Sequence, residues 1–551
     1  MWFTKLIGLL LFLGIFVPFS NGIAQSDLTG NRPVTQTYLI RSATVIPRPG
    51  VIQSGQDVLF KDGIIKSVGR NLTAPPEAVI IPGDSLYVYP GFIDVANKLD
   101  VASPPEMEKP DDFDSSNPDD YLAGIHPQVN VLDHLNTQRG EWRRLGFTLV
   151  QKVPMGMGLL PGKTAVIGYS HPHEQVVLAE DVAVYARFNT VGGMYPANNL
   201  GVMAKFRDLF QNAKLLDIHL AQYNSTTGVR IPEKNPVLES LVPVVNQMQP
   251  VYFEIEDQLD IGRALRLQEE IGFKLILGGI SEGEQYIPTI KARQVAVSLS
   301  LNLPAAPTDS VGPDLEEIER KRFERVSAAY TNRVSLPAKY AEAGIPFAFT
   351  TKHLAKDKFF DNLHLLIDHG LSEDAALAAL TINPANILGI SRVAGDIQVG
   401  KQANFVISTD PLFDKEAQIK FVIVNGHVYE YEINKGSVKA ASNGVEHWNY
   451  QASTPAGESS GELVIWRESG KWVGEITIDD PVKPGQLTLP LEDIDKSATM
   501  LGFGFSLDSN DRKIKLNVQG EISGTTFHGT LDVMGTEQFP FKAVKKNMPT
   551  S

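Results

Sequence analysis

The polar and apolar positions divide the chain into four stretches with different periods. Residues 36–88 hold short apolar runs: Thr37–Ile40, Asp57–Phe60 and Ile64-Ile65. The last two flank Lys61-Asp62-Gly63, and an Asp-Gly between apolar runs predicts a hairpin. From 89 to 392 short apolar runs alternate with amphipathic stretches. Phe147–Val150 follows Trp142–Gly146, and Leu259–Ile271 predicts a helix closed by Gly272. Lys274–Leu277, Val295–Leu299 and Phe347–Phe349 predict further strands. This alternation predicts parallel βα units. Ser372 is placed to cap a helix with Glu373 and Asp374 in its first turn. Residues 393–432 return to strands and end in a second hairpin at Asn425-Gly426.

Residues 433–460 are rich in Ser, Gly, Ala and Asn and read as a linker. Beyond them, 461–548 reads as a small antiparallel β domain. Its expected strands are Glu462–Trp466, Lys471–Ile478, Gln486–Leu491, Ala498–Leu507, Lys513–Gly520 and Thr525–Val533. Two long excursions, 102–120 and 304–325, are charged loops of the kind that cover a site.

Lys5, the apolar run Leu6–Phe19 and the small residues before Ala24 have the form of a signal peptide over 1–24. The run is shorter than the ~20 residues that span a bilayer, so the expected product is exported, periplasmic or extracellular, with no membrane span after cleavage. The 551 residues contain no cysteine, which excludes disulfides, thiolate ligands and a cysteine nucleophile. The net charge of −14 becomes −15 once Lys5 is removed (−14 minus one), and an acidic chain without a basic run argues against nucleic acid. No nucleophile elbow and no phosphate-binding glycine loop is present.

Four segments together resemble the amidohydrolase superfamily, in its imidazolonepropionase-like branch. They are Asp57–Gly69, Pro90-Gly91-Phe92-Ile93-Asp94, Leu380–Ile390 and Gly395–Val406. The resemblance covers about 36–432. It implies a (β/α)8 TIM-like barrel over 89–392, flanked by a composite β-sandwich built from 36–88 and 393–432. It also implies hydrolysis of carbon–nitrogen bonds other than peptide bonds. Such barrels hold one or two divalent metals at the carboxyl ends of the strands, where the metal acidifies a water. The ligands are imidazoles and carboxylates.

In this chain the positions that the resemblance assigns to ligands are Ala96 and Lys98, Glu254 and Glu256, Gly279, and Lys352. Alanine and glycine offer no donor, and an ammonium repels a cation. The expected metal site is therefore degenerate, with no cofactor, and Lys98, Glu254, Glu256 and Lys352 are expected to form salt bridges in its place. His353 is the remaining imidazole beside Lys352. Asp94 keeps a structural role. His126, His134, His219 and the loop pair His171 and His173 read as surface or packing residues, and Glu106–Asp120 as a solvated lid without a calcium pattern.

Three functions compete. The first is a catalytically degenerate amidohydrolase that binds a small amide or peptide-like ligand, or supports an active homologue as partner. The second is an active hydrolase, either metal-free or with zinc held by Glu254, Glu256 and His353. The third is an extracellular binding module that uses the C-terminal β domain.

Overall fold

The computed structural model describes residues 37–105, 108–136, 140–169, 177–307, 317–433, 446–454, 457–468, 471–479, 486–497, 499–509, 512–523, 525–533 and 537–546. The 1–24 segment, His171 and His173 lie outside the described residues. The chain divides into two compact units, Met1–Tyr431 and Glu432–Ser551.

In the first unit, β1 (Thr37–Arg48), β2 (Val51–Lys61), β3 (Ile64–Gly69), β4 (Ala78–Pro82) and β5 (Tyr87–Pro90) begin an eight-stranded sheet. The two-residue turn Asp62-Gly63 joins β2 to β3, both residues having positive φ (53° and 74°), as a type I′ hairpin requires. The chain then leaves this sheet for the central strands and returns to it much later.

The central strands are β6 (Phe92–Asn97), β7 (Phe147–Lys152), β8 (Gly162–Lys163), β9 (Ala165–Gly168), β10 (Val177–Ala179), β11 (Val184–Arg187), β12 (Val251–Glu254), β13 (Leu275–Ile280), β14 (Ala296–Ser300) and β15 (Phe347–Thr350). β6 and β7 are parallel, and so are β11 through β15 in sequence order. These strands are buried on both faces, as parallel strands covered by helices must be. Their outer faces pack on helices such as Asn199–Ser225 and Gln258–Ile271 in the largest apolar cluster. Helix Gln258–Ile271 starts at Asp257, whose side chain accepts from the N–H groups of Leu259 and Asp260, and ends at Gly272 with φ 88°.

One part departs from a βα repeat. β9 pairs antiparallel with β7, and β8 antiparallel with β11. The physical reason is the connection: residues 153–164, between β7 and β9, contain no helix and so do not make the crossover that a parallel pair needs. The segment 162–168 thus bridges the two halves of the strand system. Thr164 continues it, donating its N–H to Ala183 O at 2.9 Å and accepting from Val182 N at 2.9 Å. At the other end β15 lies beside β6, where Thr350 Oγ1 donates to Ala96 O at 2.7 Å.

β16 (Phe405–Ser408), β17 (Ile419–Val424) and β18 (His427–Glu430) re-enter the first sheet, β16 pairing antiparallel with β5. The tip of the β17–β18 hairpin, Asn425-Gly426, sits on the tip of β2–β3: a Cβ on Gly63 would lie 2.7 Å from Asn425 O.

The second unit is a nine-stranded antiparallel sheet, in spatial order β22-β21-β20-β19-β27-β26-β25-β24-β23. The strands are β19 (Glu446–Thr454), β20 (Gly457–Glu468), β21 (Lys471–Asp479), β22 (Gln486–Pro490), β23 (Glu492–Lys496), β24 (Met500–Ser509), β25 (Arg512–Ser523), β26 (Thr526–Val533) and β27 (Glu537–Lys545). Trp448, Tyr450, Leu463, Ile476, Phe503 and Phe541 lie in its core. The linker expected over 433–460 is corrected here. Residues 446–454 form β19, between β20 and β27, because Trp448, Tyr450 and Ala452 alternate into the core.

Candidate functional site

The carboxyl ends of the parallel strands carry a compact set of charges. Glu254 is the last residue of β12 and is only 3% exposed. A carboxylate removed from water to this degree needs partners, and it has three. Lys352, two residues beyond β15, places Nζ against Oε1. Lys98, just after β6, stands 3.4 Å from Oε2. Tyr185 of β11 donates its hydroxyl to the same Oε2. The phenol is fixed in turn: its ring stacks on Tyr252 with centroids 5.7 Å apart, and Tyr252 OH shares a hydrogen bond with Ser298 Oγ at 3.1 Å.

The surroundings are cationic. Arg187 closes β11 and donates Nε to Gly158 O at 3.1 Å and Nη2 to Gly156 O. Burial first, then the Arg187 charge, lower Lys98 to about 8, with Glu256 opposing. Burial, followed by the charges of Lys98 and Arg187, lowers Lys352 to about 7. Lys152, the last residue of β7, is fully buried. Its ammonium donates to Leu99 O at 2.6 Å and lies 5.3 Å from the Tyr169 ring, and burial lowers it to about 8.

Asp94 sits beneath this set and clamps β6 to β15. Its carboxylate accepts from Ala96 N (3.2 Å), Asn97 Nδ2 (3.2 Å), Thr351 N (3.2 Å) and Thr351 Oγ1. Burial raises its pKa against those donors. Its role is structural.

The structure separates the residues expected at the site. Lys98, Glu254 and Lys352 come together. Glu256 makes no ion pair with them among the described residues and acts on Lys98 only as a nearby charge. β12 ends at Glu254, so the strand rule that would bring positions 254 and 256 to one face no longer applies. Glu256 is exposed and lines a groove of about 650 Å³ with Phe188, Asn198 and Leu200. Ala96 packs with Val153, Tyr185 and Tyr252. Gly279 has φ 79° and donates its N–H to Ser298 Oγ at 3.0 Å. His353 is exposed with φ 64°, and its pKa is lowered by burial and by Lys352 and Lys98. Elsewhere, His219 is bonded to Arg230 O at 2.9 Å and His126 is lowered mainly by burial. Arg187, Tyr185 and Lys152 were not expected from the sequence. The only sequence signal for them is a polar residue closing or interrupting a short apolar strand, Val184–Arg187 or Phe147–Lys152.

Residues 319–429 carry an amidohydrolase-family match, in line with the superfamily that the sequence resembles. A crystal structure of an amidohydrolase from Thermotoga maritima MSB8 is 22% identical, with a TM-score of 0.57 over 72% of this chain and all of that one, and shows the shared fold. A prolidase complexed with N-methylphosphonate-L-proline is 16% identical, covering 72% of this chain and all of that one at TM-score 0.41. A β-aspartyl dipeptidase from Fervidobacterium islandicum AW-1 is 14% identical, covering 73% and 100% at TM-score 0.37.

The residues at the strand ends do not fit the divalent metal of that superfamily. The set offers ammonium and guanidinium groups around one buried carboxylate already engaged by two lysines and a tyrosine, whereas a metal needs neutral imidazoles and free carboxylates. Among the described residues no three His, Asp or Glu side chains lie close enough to share an ion. The alternative zinc set of Glu254, Glu256 and His353 is therefore not assembled.

Proposed function

We propose that this is an exported amidohydrolase-fold protein in which an amine–carboxylate network has replaced the hydrolytic metal centre, and that it binds a small amide or peptide-like ligand at that place. The observation that carries the reading is Glu254, held between Lys98 and Lys352 with the Tyr185 hydroxyl on its second oxygen. The strand system supports it as a closed barrel of eight staves: β6, β7, the reversed segment 162–168, then β11 to β15 and back to β6. The network occupies the carboxyl ends of these staves, where the ligands of such barrels bind. The signal-like segment 1–24 supports export.

Two positive charges against one buried carboxylate leave the mouth suited to a ligand that carries its own carboxylate. Metal addition tests the reading. A group that binds the native state raises its melting temperature by mass action. Zinc or manganese added to the full chain is expected to leave Tm unchanged. A saturable rise, reversed by chelator, would contradict the proposal.

A further inference from the structure

Two primary amines share Glu254, and one of them is placed for covalent chemistry. We propose that Lys352 forms a Schiff base with small 2-oxo carboxylic acids. Glu254 carries the proton, and Lys98 receives the acid's carboxylate. The inference rests on the reading that amines and not a metal occupy the strand ends.

The geometry supplies each part. Lys352 Nζ touches Glu254 Oε1, so a proton can pass directly between amine and carboxylate. Tyr185 OH holds Oε2 and keeps the carboxylate oriented toward the amine. Lys98 stands 3.4 Å from the same Oε2, and its ammonium lies 5.6 Å from the Tyr185 ring. The side chains of Lys352 and Lys98 are 13% and 21% exposed, so neither is sealed from solvent. Lysine becomes a nucleophile when it is desolvated or set beside another cation, and Lys352 meets both conditions. Its pKa near 7 is a consequence of that setting. The cationic surplus selects the carbonyl compound: an oxo acid brings a carboxylate that a neutral aldehyde lacks.

The step balances as follows. The Lys352 ammonium gives a proton to Glu254 and the free amine attacks the carbonyl carbon, forming the N–C bond. Glu254 returns that proton to the carbonyl oxygen, giving the carbinolamine. The hydroxyl group then leaves as water, taking the second ammonium proton by way of Glu254, and the nitrogen lone pair forms the C=N bond. The third ammonium proton stays on nitrogen, so the product is the iminium. Net, a 2-oxo acid and a lysine ammonium give an iminium and one water, and no oxidant or reductant is consumed.

Borohydride trapping tests this. The full chain is incubated with pyruvate, reduced with borohydride, and analysed by intact mass and peptide mapping. The expected result is one reduced adduct per chain, saturable in pyruvate and mapped to Lys352, with the adduct lost in Lys352→Arg and formed more slowly in Glu254→Gln. Mapping on the unaltered chain decides the site even if Lys352→Arg fails to fold. Absence of an adduct, or adducts spread over surface lysines as in the urea-unfolded chain, overturns the inference. Metal content of the same sample separates the two claims. A metal-free chain without adduct sinks only the Schiff base, whereas stoichiometric metal sinks the reading beneath it.

Discussion

Glu254 is the residue on which the site turns, and its environment makes quantitative demands. Breaking a buried ion pair by removing one partner costs about 3–5 kcal/mol, because the other charge stays buried alone. Glu254→Ala is therefore expected to lower the urea-unfolding free energy by about 3 kcal/mol. Lys352→Ala should cost more than Lys98→Ala, since Lys352 is the less exposed partner and the one in direct contact. Stability of all three variants equal to that of the unaltered chain in urea melts would show the network to be solvated and weak. Protonation gives a second check at the same residues. Lys352, Lys98 and Lys152 are lowered to about 7, 8 and 8, while an unfolded lysine titrates at 10.5. Between pH 7 and 9.5 the folded chain has released protons that the unfolded chain still holds, so stability rises with pH across that window. The groups facing these amines are Arg187, Glu254, Glu256, Asp94, Asp100, His353, Tyr169 and Tyr185, and the pKa values of Tyr169 and Tyr185 are raised, so their opposing effect begins only above the window. Flat urea stability from pH 7 to 9.5 would contradict the assignment.

At the scale of elements, the parts that followed local rules were legible and the parts set by register were not. The Asp62-Gly63 and Asn425-Gly426 hairpins, the Gly272 stop and the Ser372 cap depend on residues adjacent in sequence. Lys98 and Lys352 were found because motif positions place them just past strand ends. Arg187 was missed because its strand is four residues with no motif, and Glu256 was misplaced because β12 stops two residues earlier than a shared face requires. The reversed segment 162–168 was hidden as well, since no local pattern tells a short antiparallel return from a short parallel strand. The two hairpin tips provide an element-scale test. Gly63 has φ 74° and its Cβ would sit 2.7 Å from a backbone oxygen, so Gly63→Ala meets both strain and a clash. Gly400 has φ 91° with open space around it. Gly63→Ala is expected to cost at least ~1 kcal/mol more than Gly400→Ala in thermal unfolding. Equal losses would show that the tips do not pack.

At the scale of the molecule, the chain joins two units with separate cores, and the second has an antiparallel sheet with its own aromatic interior. A unit with its own core folds alone. Residues 432–551 expressed by themselves should give a β-type circular dichroism spectrum and one cooperative melt. A spectrum without structure would show that the sheet depends on the first unit. The first unit has an amidohydrolase-like fold while its strand ends carry lysines and an arginine around one glutamate, so the fold alone does not assign the chemistry here. The most direct measurement is the metal content of the purified full chain, by elemental analysis for zinc, iron and manganese. The account predicts far less than one ion per chain, with stability unaffected by chelator. One or two ions per chain, removed by chelator with a fall in Tm, would contradict it.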